Sequence, residues 1–231
     1  MKMRPTIFLF DIDGTLITIT RAGRVAMERA FAEFFGTSGE VFAEFSFAGM
    51  TDRAIVRAGI ERVTGSCNES LVDRLMNDYA KNLAATLERD NEYRLHRGVS
   101  DALEIAERRP NGALGLGTGN LRLAAKAKLD PFGLFERFRF GGFGCEHEDR
   151  ATILRWGAER GARLLGRARE ECDVLVIGDT PKDVIAGHAI GASVIAVATG
   201  PYRAIELRRA GAVHVFDDLG DPEVREILHG G

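Results

Sequence analysis

A chain of 231 residues is long enough for one large core, or for a core with a smaller second unit. Its 31 Lys and Arg against 34 Asp and Glu leave a net charge of −3, a balance that offers no basis for binding nucleic acid or an anionic membrane. Cys67, Cys145 and Cys172 fit neither a disulfide framework nor a zinc spacing, and no stretch is apolar for long enough to be a secretory leader or to span a bilayer, so the expectation is a cytoplasmic protein, a monomer or a small homo-oligomer.

In chain order, residues 7–10 are a short apolar run that reads as a buried strand and stops at Asp11 and Asp13, with Gly14 next. Residues 16–95 then show helical patterns and no convincing strand. Residues 21–35 carry Met27, Phe31, Phe34 and Phe35 on one face, and Gly36 suits the helix end. Val56, Ile60 and Val63 make a second seam. Val72, Leu75, Met76, Tyr79, Leu83 and Leu87 make a third, preceded by the capping-box pattern Ser66-Cys67-Asn68-Glu69. Beyond it, strand-like runs at 113–116, 174–177, 194–197 and 213–216 alternate with helical patterns at 100–108, 121–129, 151–159, 181–190 and 202–209. That alternation predicts an α/β doubly wound (Rossmann-like) parallel sheet. The core is expected over residues 1–17 and 94–231, with an all-helical insert over 18–93, hinged near 16–20 and 94–98.

Ligands of open α/β sheets bind outside the carboxyl ends of the strands, and the chemically interesting residues fall there. Asp11 and Asp13 follow the first run, and Thr118-Gly119-Asn120 the second. Glu146-His147-Glu148-Asp149-Arg150 follows the less regular run 138–143, and Gly178-Asp179-Thr180-Pro181-Lys182-Asp183 comes next. Convergence would bring Asp11, Asp13, Asp179 and Asp183 together. Crowded carboxylates repel, and a hard cation with oxygen ligands, best Mg²⁺, resolves the repulsion. Thr118 and Arg150 would then hold phosphate oxygens. Each piece also has an ordinary structural explanation. Asp13-Gly14 is a common turn. Thr180 suits an N-cap, with Pro181 at the first helical position and Asp183 complementing the helix dipole. Thr118 is also simply the end of a strand, and Arg150 a solvated helix start.

In this order the motifs resemble those of the haloacid dehalogenase-like hydrolase superfamily, from residue 7 to beyond residue 183. Asp11-Ile12-Asp13-Gly14-Thr15 matches its first motif, Thr118 its second, and the pair Asp179 and Asp183 its fourth. The third motif departs: the usual Lys, often in Gly-Lys-Pro, is missing, and Arg150 is the candidate in its place, able to supply charge and a two-pronged phosphate contact. The resemblance implies the phosphatase branch with a C1-type helical cap, Mg²⁺ as cofactor, and a small phosphorylated metabolite, phosphoglycolate-like or a sugar phosphate, as substrate. It makes Asp11 the nucleophile and Asp13 the general acid and base. Asp11, Asp13 through its carbonyl, Asp179 and Asp183 become the metal set, and Thr118, Gly119, Asn120 and Arg150 the phosphate-binding group.

An acid at position 13 serves a leaving alkoxide, which must be protonated, and not a leaving halide, so phosphoryl transfer is favoured over dehalogenation. Specificity is expected from the insert, at Arg21, Arg24 and the turn 49–53 with Thr51 and Arg53, although any one of these arginines also reads as a solvated helix face. The rivals are a phosphosugar mutase with the same two aspartates, a carbon–phosphorus hydrolase needing a cap lysine where Lys81 is the only one, and an inactive phosphate-binding module.

Overall fold

The computed structural model describes residues 4–18, 20–38, 41–89 and 92–230; Ile19, within one expected hinge, lies outside them. Six strands, β1 (Thr6–Phe10), β2 (Gly112–Thr118), β3 (Phe140–Phe143), β4 (Asp173–Gly178), β5 (Ser193–Val197) and β6 (His214–Phe216), form one parallel sheet in the order β3-β2-β1-β4-β5-β6. Helices α1 (Ala22–Phe35), α2 (Asp52–Thr64) and α3 (Glu69–Leu87) form the insert. They are followed by α4 (Val99–Arg108), α5 (Arg122–Leu129), α6 (Arg150–Leu164), α7 (Pro181–Ala189), α8 (Ala204–Arg209) and α9 (Pro222–His229).

The apolar runs lack alternation because both faces of the sheet are covered. Phe8, Phe10, Leu116, Ile177 and Ile195 face α4, α5 and α9, while Ile7, Leu9, Val176 and Val194 face α6, α7 and α8. Winding reverses between β1 and β4, which leaves a crevice at their carboxyl ends. Phe10 pairs with Ile177, so Asp11 and Asp179 emerge from neighbouring strands at that crevice.

The insert buries its own cluster, centred on Phe31, Phe42, Ile60, Leu75 and Leu83, and Leu121 and Ala124 of α5 join it. Ala125 and Leu129 of the same helix face the sheet. Helix α5 is therefore shared by the insert and the sheet. The two chain crossings run side by side where hinges are expected: Thr18 N donates to Arg94 O at 2.9 Å and His96 N to Leu16 O at 3.0 Å.

Three local expectations are corrected. Asn68, not Ser66, caps α3, its Oδ1 accepting from Leu71 N at 2.9 Å. Its backbone is extended as a cap requires, and Glu69, already helical, pairs instead with Arg53 and Arg57. Val63 is exposed, so the second seam is Ile55, Val56 and Ile60. Helix α9 lies beyond the expected elements. Asp221 caps it with Pro222 at its start, and Val224 and Leu228 close over the sheet, a pattern that the sequence carries. The three cysteines are free thiols, and no helix among the described residues is long and apolar enough to cross a membrane.

Candidate active site

A cavity of about 1030 Å³ opens between the carboxyl ends of the strands and the insert. Asp11, Asp13, Gly119, Asn120, Arg150 and Asp179 line it from the sheet side. Thr118 lies just beneath, fully buried, with its hydroxyl against Asp11. The convergence expected of the strand ends is therefore present.

Arg150, the first residue of α6, is buried rather than solvated. Its Nη2 lies 2.7 Å from Asp11 Oδ2 and 2.5 Å from Asp183 Oδ1, and its Nε donates to the same Asp183 oxygen at 2.6 Å. Burial opposes its charge, but Asp11 and Asp183 outweigh that and push its pKa up. Asp183 does two jobs. Its Oδ2 accepts from Thr180 N at 3.0 Å and Thr180 Oγ1 at 2.7 Å, completing a reciprocal capping box on α7, while Oδ1 holds Arg150.

Asp11, Asp179 and Asp183 present carboxylate oxygens all within 4.8 Å of one another. Burial, then the charges of Asp183 and Asp13, push Asp11 up to about 6 against the opposing Arg150 and Thr118. Burial, Asp183 and Asp11 raise Asp179 well above the usual carboxylate range, with Thr15 and Arg150 opposing. Two oxygens in this group, Asp11 Oδ1 and Asp179 Oδ2, are buried with no hydrogen-bond partner. Such atoms demand a donor or a cation, so the residues fit Mg²⁺. Gly200 keeps the approach open, since a Cβ there would lie 1.7 Å from Asp179 Oδ2. Of the expected metal set, the carboxylates of Asp11, Asp179 and Asp183 are the three brought together. Asp183 also holds Arg150 and Thr180, and the Asp13 carboxylate is held by Lys128 and Asn120, its expected part in the set being the backbone carbonyl.

Asp13 points to a group that the sequence reading passed over. Lys128 Nζ lies 2.8 Å from Asp13 Oδ1, 2.7 Å from Asp13 Oδ2 and 2.7 Å from Asn120 Oδ1. Asn120 Nδ2 donates to Asp13 Oδ2 at 2.8 Å and to Thr118 Oγ1 at 2.9 Å. A signal existed: Lys128 follows Ala124 by one helical step on the buried face of α5.

On the insert side the four expected specificity residues divide. Arg21 lines the cavity. Arg24 lines it too, but its guanidinium donates to Phe42 O and Phe45 O and stacks over Phe47, so it holds the 42–47 loop. Thr51 caps α2, and Arg53 pairs with Glu69 and Asp73, neither of them lining the cavity. Lys81 is exposed against Asp78 and also lies outside it.

Within the expected turn 49–53, Gly49, Met50 and Asp52 line the cavity. Asp52 N donates to Gly119 O at 2.8 Å, and Leu121 N donates to Asp52 Oδ2 at 2.8 Å. The insert is thus docked on the loop after β2, where a Cβ on Gly119 would lie 2.4 Å from Met50 O. Burial pushes Asp52 up to about 7, with Lys128 and the Leu121 amide opposing and Asp13 and Asp11 adding. A raised carboxylate pKa stabilises the fold fully below its unfolded value, and that contribution is lost as pH rises through about 7. Asp52→Asn keeps the acceptor and has no such proton to lose. It should match wild type near pH 4 and become the more stable protein toward pH 8, by on the order of 1 kcal/mol per pH unit between. A difference in melting temperature that stays flat with pH would remove Asp52 from this account.

The family model described as haloacid dehalogenase-like hydrolase matches residues 5–191. Solved structures share the fold. A predicted phosphatase from Clostridium acetobutylicum has TM-score 0.69 at 17% identity, covering 98% of this chain and 99% of its own. CbbY from Rhodobacter sphaeroides, in complex with phosphate, has 0.68 at 19%, covering 95% and 96%. A predicted phosphoglycolate phosphatase from Haemophilus somnus has 0.67 at 18%, covering 94% and 96%. No curated protein gives a significant match. The family match spans most of the chain and includes Asp11, Thr118, Arg150, Asp179 and Asp183, and the chain belongs to the haloacid dehalogenase-like hydrolases.

Proposed function

We propose that the protein is a Mg²⁺-dependent phosphomonoesterase that cleaves a small phosphorylated metabolite through an aspartyl-phosphate, with residues 18–93 as a cap. The observation that carries this reading is Asp11 itself, a buried carboxylate with one oxygen held by Arg150 and the other unpartnered, in a cavity beside Asp13.

In the first step an Asp11 oxygen bonds to phosphorus, the bond to the leaving oxygen breaks, and Asp13 gives that oxygen a proton. In the second, a water oxygen bonds to phosphorus, the bond to Asp11 breaks, and Asp13 takes the proton of the water. Asp13 accepts from Lys128 and Asn120, contacts that hold its carboxyl group at the edge of the cavity. Arg150, the Thr118 hydroxyl and the backbone amides of the loop after β2 stabilise charge on the transferring oxygens. Asp11, Asp179 and the Asp13 carbonyl would hold Mg²⁺, which supplies positive charge that lessens repulsion between nucleophile and phosphate. Closing of the insert over the cavity would exclude water during the reaction, and its opening would allow exchange.

The test is a phosphate-release screen over alkyl, sugar and glycolate phosphates, with Mg²⁺ and then with EDTA. Release from at least one ester is expected, falling by about 100-fold or more on chelation and returning with Mg²⁺. Release untouched by EDTA removes the cation, and no release from any ester removes the reading. The volume of about 1030 Å³ exceeds the need of phosphoglycolate and favours a larger ester such as a sugar phosphate, the substrate class that a second reading, a phosphosugar mutase, would share. Isomerised sugar phosphate without free phosphate would select it.

A further inference from the structure

Lys128 is a lysine where the fold asks for an apolar residue. It shares the buried face of α5 with Ala124, Ala125 and Leu129 and is only 7% exposed. Leu or Met would fill that stripe without burying an ammonium or ordering a long flexible chain. Its three short contacts, two to Asp13 and one to Asn120, use all three ammonium hydrogens, so no donor remains for a phosphate.

The Asp13 side chain is 34% exposed at the cavity edge and lies beyond the end of β1, so the sheet does not fix its rotamer. What fixes it is a closed ring: Lys128 holds both carboxylate oxygens and the Asn120 carbonyl, and Asn120 returns a hydrogen bond to Asp13 Oδ2. The ring is anchored at both ends of α5. Leu129 packs into the sheet core, Leu121 and Ala124 pack into the cluster of the insert, and Leu121 N is held by Asp52.

We propose that Lys128 is the positioning residue for Asp13, holding its carboxyl group toward the oxygen that leaves phosphorus; this rests on the phosphomonoesterase reading. Because the insert clamps the first turn of α5, docking of the insert and placement of Asp13 are linked through the same helix. The contribution of Lys128 then goes to proton transfer and not to binding of the phosphate. It matters for an alkoxide, which must be protonated to leave, and little for a nitrophenolate, which leaves without a proton.

The test compares wild type, Lys128→Met and Lys128→Gln on an alkyl phosphate and on p-nitrophenyl phosphate, with inhibition by inorganic phosphate as the measure of site integrity. Both variants should lose about 100-fold in kcat/KM on the alkyl ester, the scale of general acid–base catalysis, since kcat/KM covers only the steps through departure of the leaving oxygen. On the aryl ester kcat/KM should change less than about threefold, while kcat falls wherever hydrolysis of the shared aspartyl-phosphate, which also uses Asp13, limits turnover; the inhibition constant should stay that of wild type. Lys128→Arg should recover part of the loss. Equal losses of kcat/KM on the two esters, no loss on either, or weakened phosphate inhibition overturns the assignment while leaving the phosphatase reading intact. Met fills the stripe and Gln keeps a donor, so loss of folding in one leaves the other to decide. Wild type inert toward both esters overturns the phosphatase reading and this inference with it.

Discussion

Asp11→Asn is expected to abolish turnover, lowering kcat by at least about 10⁴-fold, and at the same time to make the metal-free protein more stable above pH 6. The first effect follows from removing the nucleophile. An amide cannot form the acyl phosphate intermediate, and neither Asp13 nor Asp179 takes its place, being bound to Lys128 and Thr15 respectively. The second effect follows from burial. Asp11 is 6% exposed, with one oxygen unpartnered and Asp183 nearby, and its pKa is pushed up to about 6. Its contribution to stability is complete below the unfolded value of 3.8 and lost as pH rises through about 6. Asn stays neutral throughout, so the advantage of the variant should grow from pH 4 to pH 6 and then level off. Mg²⁺ should raise the melting temperature of wild type and do less for the variant, since binding to the native state alone stabilises it. Turnover retained by Asp11→Asn would end the nucleophile assignment. A variant less stable than wild type at pH 8 in EDTA would end the account of crowded carboxylates.

Arg150→Ala should cost the most stability of any single change at the site. The guanidinium is 7% exposed and holds two buried carboxylates, Asp11 and Asp183. Removing one partner of a buried ion pair leaves the other charge uncompensated, at about 3–5 kcal/mol. In a chain of this size that corresponds to a fall of roughly 6–20 °C in melting temperature. Activity should fall with it, through a higher KM for small substrates and a lower kcat. Arg150→Lys keeps the charge but not the fork that spans Asp11 and Asp183, so it should lie between. Thermal melts and steady-state kinetics on the three proteins decide this. Unchanged kinetics in Arg150→Ala would remove the residue from the site, and an unchanged melt would mean that the pair contributes nothing net.

The fold was largely legible because its signals are local. A run such as Ile7 to Phe10, flanked by acids and glycine, announces a buried strand wherever it occurs in the chain. Thr180-Pro181 with Asp183 announces a helix start, and that capping box is present in the structure. The insert was legible from three apolar seams in an interval without strands. Where reading failed, a competing local solution existed: Asn68 and Ser66 are both able caps, and the backbone conformation at Asn68 selected it. In the expected turn at 49–53, Gly49, Met50 and Asp52 line the cavity, while Thr51 and Arg53 do not. One residue is about 100° around a helix, since 3.6 residues make a turn, and periodicity alone did not phase the start of α2.

The sequence by itself determined the alternation of strand and helix, the place of the insert, and the presence of Asp11, Thr118, Arg150 and Asp179 at strand and helix ends, because each depends on neighbours a few positions away. The tertiary structure alone decided the pairing of charges. Lys128 reaches Asp13 across 115 positions and Arg150 reaches Asp183 across 33. Those meetings follow from the sheet order and from α5 being shared between insert and core, and no local pattern encodes them. A lysine on an apolar face pays for its burial only where a carboxylate waits, and the fold is what brings Asp13 to Lys128.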